Sequence, residues 1–180
     1  KKITKYKVLE TLCSLLLIWT IYQLYIYRNI FSGDAEIHLI YAKNFVQGHF
    51  LEFNPGYRTG GESSFLYFLI ISLIYKLFGI YSAYWMKIIS LFSFFWILFQ
   101  IYRVNPSQDK TSKLIGASLL SVIGMMNLQA MLGMENILFS AILVTFISNE
   151  VKSEFQCKNK KIILKSTLLF FLRPEGIIYP

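Results

Sequence analysis

The sequence predicts an all-α integral membrane protein, with about five transmembrane helices and a long outer loop after the first. Three observations carry this expectation. Of the 180 residues, 55% are hydrophobic and 17% aromatic, and the mean hydropathy is positive, beyond what an ordinary soluble domain carries. Apolar runs near the ~20 residues of a spanning helix recur along the chain. The formal net charge of +8 is gathered in short lysine clusters between those runs, as topology signals facing anionic lipid are. No basic stripe on a soluble face is present, so no nucleic-acid partner is expected. Two cysteines, Cys13 and Cys157, are too few and too separated for a disulfide framework or a metal cluster.

The elements follow in order. A lysine-rich start over residues 1–7 precedes an apolar run over 8–27, interrupted only by Glu10 and Gln23. The run exceeds the about 7–15 residues of a signal peptide's apolar region, and no small-residue cleavage site follows it. It reads as an uncleaved anchor with a cytoplasmic N-terminus, so the stretch from Ser32 emerges on the outer face. Over 34–47, Ile37, Ile40, Tyr41 and Phe45 recur at helical spacing, with Glu36, Lys43, Asn44 and Gln47 elsewhere on the wheel and Gly48 as a stop. That pattern predicts a short amphipathic helix lying along the interface. Asn54-Pro55-Gly56 and Gly60-Gly61 mark 48–64 as loop. Residues 65–79 are apolar apart from Lys76 but short for a span, and are expected as a juxtamembrane helix. The later spans are expected over 83–102, 114–131, 136–148 and from Ile162. With 65–79 left uncrossed, the basic segments 103–113 and 150–161 both fall on the side of the N-terminal lysines, as the positive-inside rule requires. The chain therefore reads as one transmembrane module: a start and first span over 1–27, an outer loop over 28–82, and further spans over 83–180.

This topology carries three separated polar groups to one face. Asp34, directly after the first span, is a candidate general base for an acceptor hydroxyl arriving from the aqueous side. The plainer reading is a helix N-cap, worth about 1 kcal/mol. His38, four residues on, shares a helical face with Asp34 and suits a hydrogen-bonding role; two such residues do not make a metal site. Glu135 sits in the tight Gly133-Met134-Glu135 connection, where a turn alone accounts for its polarity. Arg173 closes an apolar run, where a guanidinium holds a phosphate bidentately, and Arg58 in the loop is an alternative phosphate partner. Snorkelling at a helix end is the plainer role for Arg173. No Walker motif, dinucleotide fingerprint, zinc pair or nucleophile elbow is present.

Asp34-Ala35, Ile37-His38-Leu39, Tyr41-Ala42, Asn44, Gly48-His49, Phe53-Asn54-Pro55-Gly56, Gly60-Gly61 and Ser63-Ser64 together resemble a known pattern. It is the first outer loop of the multi-spanning GT-C glycosyltransferases, in particular bacterial relatives of the terminal arabinofuranosyltransferase of mycobacterial cell walls. Gly133-Met134-Glu135 resembles a Gly-Leu-Glu-Thr hairpin of those proteins, and Arg173-Pro174-Glu175-Gly176 their Arg-Pro-Glu/Asp-Gly helix end. The resemblance implies a hexosyl- or pentosyltransferase that takes sugar from a polyprenyl-phosphate donor, with Asp34 as base; the residues expected at the substrate are Arg173, Glu135, His38, Arg58 and Glu175. The acceptor would be a glycan, lipid or protein. The implied location is the outer face of a bacterial plasma membrane. A divalent metal bridging Asp34 and the phosphate fits that chemistry, although the ligand count does not indicate one. The chain departs from the family where Gly33-Asp34 replaces two acids, Ile40 an arginine, and Phe65 a proline. Family members are several times longer, so the resemblance covers their N-terminal module and implies a piece of a longer protein. From a different class, a non-catalytic membrane protein that binds or carries lipid-linked sugar fits the same residues, as does an inactive truncated transferase.

Overall fold

The computed structural model describes residues 27–59, 61–104, 124–152 and 159–173, with scattered positions from Thr11 to Ile26. The N-terminal lysine cluster, Cys13, Cys157, Glu175 and most of the span expected over 114–131 lie outside the described residues. The described part is mostly helical. The positions described between Thr11 and Ile26 are helical, expose Leu15, Ile18, Trp19, Tyr22 and Tyr25, and end in a 3₁₀ turn at Tyr27–Asn29.

Helix α1 (Gly33–Val46) begins where the Ser32 hydroxyl accepts a 3.0 Å hydrogen bond from the Ala35 amide. Ser32 is thus the N-cap, and Asp34 lies inside the first turn with Glu36, where acids complement the helix dipole. The helix stops ahead of Gly48, at φ +96°. Its buried residues are Ala35, His38, Tyr41, Ala42 and Asn44, a face rotated from the Ile37/Ile40/Tyr41/Phe45 stripe that apolar spacing predicts. The rotation has a physical cause. Asn44 Nδ2 donates 2.8 Å bonds to the Glu52 and Phe53 carbonyls, and His38 meets two carboxylates, so both polar groups are satisfied inside.

The segment expected as plain loop contains a small antiparallel hairpin, β1 (Glu52–Asn54) and β2 (Tyr57–Arg58), pairing Asn54 with Tyr57 and Glu52 with Arg58. Pro55-Gly56 makes its turn: proline presets φ and Gly56 supplies φ +93°. Glu52 Oε2 accepts from the Gly56 amide at 2.7 Å and fixes the turn.

Helix α2 (Phe65–Phe78), a 3₁₀ turn at Gly79–Tyr81 and helix α3 (Ser82–Val104) follow almost without interruption, the chain changing direction at Gly79, φ +58°. Phe65–Val104 is, among the described residues, the one helical segment long and apolar enough to cross a membrane by length and composition. Within it, α2 is bounded at 14 residues, about 21 Å, while the 23 residues of α3 reach about 34 Å against a ~30 Å hydrocarbon core. Helices α4 (Gly124–Leu132), α5 (Glu135–Lys152) and α6 (Asn159–Leu172) complete the described chain. The last two reach into the basic segment expected as loop over 150–161, because lysine and glutamate are good helix formers.

Helix α3 is the common wall of two apolar clusters. Near its start, Met86 packs with Ala35 and Ala42 of α1 and Tyr67 and Ile71 of α2. Further along, Phe94 and Ile97 pack with Ala130 of α4 and Ile137 and Ala141 of α5. The buried Lys87 ammonium donates to the carbonyls of Tyr27, Arg28 and Ile30, tying the end of the first helix to α3. Its other flank leaves Trp85, Ile88, Phe92, Phe95 and Phe99 exposed, an apolar surface of the kind that meets lipid or partner protein.

Candidate functional site

The turn joining α4 to α5 is where the fold concentrates its polar contacts. Gly133 adopts φ +76°, a left-handed conformation that glycine takes without strain. A Cβ there would sit 3.6 Å from Met86 Cβ, so α3 closes over the turn. Three elements then hold its backbone. The Leu132 carbonyl accepts from the Ser32 amide at 3.3 Å, the Gly133 carbonyl from the Tyr67 hydroxyl at 3.0 Å, and the Met134 carbonyl from the Ser90 hydroxyl at 3.1 Å. This grip presents Glu135, the first residue of α5, to the buried face of α1.

There His38 lies between two carboxylates. Its Nδ1 is 2.8 Å from Glu62 Oε2 and its Nε2 3.2 Å from Glu135 Oε2. The Tyr67 ring meets the imidazole edge-on at 5.1 Å. Glu62 is anchored in turn, its Oε1 accepting from the Ser64 amide at 3.0 Å. The other oxygen of Glu135 lies 3.4 Å from Arg173 Nη2, at the end of α6. Glu62, His38, Glu135 and Arg173 thus form one line of alternating charge through four separated segments. His38 and Glu135 are buried, whereas about a third of the Arg173 side chain is exposed.

Burial alone would lower the His38 pKa, but hydrogen bonds and charge from Glu135 and Glu62 outweigh it and raise the value from 6.5 to about 9. At neutral pH the ring is an imidazolium and both nitrogens donate. Burial likewise works against the Glu135 carboxylate, and the bond and charge of His38, with Arg173 beyond, hold its pKa below the usual range. With His38 charged, two cations face two anions, so the buried set is balanced.

The residues expected at a site are distributed as follows. His38, Glu135 and Arg173 meet. Asp34 is exposed one helical turn before His38, and among the described residues it has no hydrogen bond or ion pair. Arg58 is exposed on β2, and among the described residues no ion pair joins it to the network. Glu175 lies outside the described residues. His49 has a local partner, its Nδ1 lying 3.1 Å from Glu52 Oε2. Sequence reasoning missed Glu62, Tyr67 and Lys87. Glu62 is an acid in a Gly/Ser loop with no periodic pattern; the ordering of its loop on α1, through Tyr41 Oη to Thr59 Oγ1 at 2.6 Å, has no one-dimensional trace.

Among the described residues no cluster of three or more His, Cys, Asp or Glu side chains is arranged to hold a metal ion. The three that do meet place their carboxylates on opposite edges of one imidazole, whose nitrogens are both engaged, so their lone pairs do not converge on a common point. What the arrangement can do is hold Arg173 in a fixed direction through Glu135, while Asp34, one helical turn before His38, keeps an unpaired carboxylate. No family model, curated protein or solved structure matches this chain.

Proposed function

We propose that this chain is the catalytic module of a membrane glycosyltransferase, moving a sugar from a polyprenyl-phosphate donor to an acceptor hydroxyl at the outer face of a bacterial plasma membrane. The observation that carries the reading is the unpaired, exposed Asp34 one turn from a buried charged network ending in the partly exposed Arg173. Asp34 takes the proton of the acceptor hydroxyl as its oxygen bonds to the anomeric carbon. The bond from that carbon to the lipid phosphate breaks, and the phosphate leaves with the electron pair. Arg173 meets the negative charge that grows there, and Glu135, braced by His38, directs it. The spans, about five in this reading, give the prenyl chain an apolar flank.

The test uses the full-length protein in membranes supplied with a radiolabelled polyprenyl-phosphate sugar. Asp34→Asn is expected to keep expression and melting behaviour while transfer falls about 10²–10⁴-fold; Arg173→Gln is expected to cost about 10²–10³. Transfer retained by Asp34→Asn removes it as the base. Donor binding without turnover in the wild type supports a non-catalytic lipid-linked sugar carrier instead.

A further inference from the structure

Between α1 and α2 an open groove of about 330 Å³ is lined by Phe45, Val46, Leu69, Ser72, Leu73 and Lys76. Aromatic rings support it from beneath, Phe45 and Phe50 lying 5.3 and 6.5 Å from Phe68. The Ser72 hydroxyl is already spent on the Phe68 carbonyl at 2.7 Å. An approaching ligand therefore meets hydrocarbon and one ammonium. The hydrocarbon wall continues past the groove, because Leu69, Leu73 and Leu77 follow at four-residue spacing and are 37%, 61% and 67% exposed.

Lys76 is exposed, and among the described residues no carboxylate pairs with it. Lys43, also exposed, stands one turn before Val46 on α1 and brings a second ammonium to that side. The acid on the same side of α1, Glu36, is two turns further back. A lysine stem lying along an apolar wall with its ammonium at the rim accommodates an amphiphile whose head is negative.

We infer that this groove is a binding site for a phospholipid with an anionic headgroup. One acyl chain lies along Leu69 and Leu73 over Phe45, and the headgroup meets Lys76, with Lys43 beside it. Charge selects this occupant. A zwitterionic lipid fills the same hydrocarbon wall but brings no net negative charge to the two ammonium groups, whereas an anionic surface gains roughly 1 kcal/mol for each. The site stands apart from the transferase reading, since it needs only that α1 and α2 meet lipid.

The full chain is placed in nanodiscs of equal phosphatidylglycerol and phosphatidylcholine, extracted gently, and its retained lipid is counted by native mass spectrometry. Wild type is expected to retain phosphatidylglycerol preferentially, Lys76→Gln to lose about fivefold of that preference, and Lys76→Arg to keep it. Leu73→Trp, which fills the groove, is expected to shed the lipid without a loss of melting temperature. Arg103→Gln, a cation at the far end of α3, serves as control and is expected to change nothing. Equal retention of the two lipids by wild type, an unchanged preference in Lys76→Gln, or an equal loss in Arg103→Gln overturns the assignment.

Discussion

His38 is the residue on which the buried charge balance turns. Its removal as His38→Ala takes away the cation between Glu62 and Glu135, leaving Arg173 as the one cation of the network, which is expected to destabilise the fold by about 3–5 kcal/mol in denaturant unfolding of the detergent-solubilised protein. Glu62→Gln keeps the shape and one acceptor, so a smaller loss of about 1–3 kcal/mol is expected. The same imidazole sets a pH dependence whose sign is fixed by the direction of its shift. The folded protein binds the His38 proton more tightly than the unfolded chain, with a pKa raised from 6.5 to about 9. The stability this contributes, on the order of 3 kcal/mol, is fully present below pH 6.5 and is lost as pH rises through 9. Melting temperature is therefore expected to fall between pH 6.5 and 9, and His38→Asn to flatten that slope. A wild-type melting temperature that stays level over this window would show that the ring is neutral in the fold.

At the scale of elements, the segment from Thr59 to Ser64 is laced to α1 by two contacts, Tyr41 to Thr59 and His38 to Glu62. Gly61 lies directly under the first. A Cβ added there would come within 2.8 Å of Tyr41 Oη, so Gly61→Ala displaces the hydroxyl and its bond. Tyr41→Phe removes the obstructing atom. The pair is expected to be non-additive by about 0.5–3 kcal/mol, the double variant being more stable than the sum of single effects, as read in a double-mutant unfolding cycle. Additive effects would mean that the segment does not rest on Tyr41. These contacts also mark where one-dimensional reading stops. Helices α1, α2, α3 and α5 were legible because apolar runs, Gly48 and Gly79 bound them. The Glu52–Arg58 hairpin was not, since strands of three and two residues show no alternation. The face of α1 was misjudged because His38 and Asn44 count as polar on a wheel, whereas partners 24 and 8 residues away satisfy them inside. Asp34, His38, Glu135 and Arg173 could be named from residue type and position. Glu62, which completes the network, depends on a loop conformation that no spacing encodes.

For the whole molecule, the network restricts how the chain can thread a bilayer. His38, Glu135 and Arg173 lie within 3.4 Å of one another in sequence, link by link, so their segments share one face of any membrane the chain spans. The number of crossings between α1 and Glu135 must then be even, and so must the number between Glu135 and Arg173. In the proposed topology α3 and the span expected over 114–131 make the first pair of crossings, and α5 with the span expected from Ile162 makes the second. A separate crossing by α2 (Phe65–Phe78) would make the first count odd, so in that topology α2 does not cross. That topology would put the basic segments over 103–113 and 150–161 together on the other face, which the positive-inside rule would make cytoplasmic. Single cysteines at Gln47, Gln108, Asn136 and Asn159, on a background lacking Cys13 and Cys157, read this directly with an impermeant thiol reagent. Gln47 and Asn136 are expected to label in intact cells, and Gln108 and Asn159 only after permeabilisation. Labelling of Gln47 and Asn136 from opposite sides would forbid the contact between His38 and Glu135 and dissolve the network. Labelling of both from the cytoplasm would leave the network whole, but it would put Asp34 and Arg173 on the wrong side for transfer to an outer acceptor.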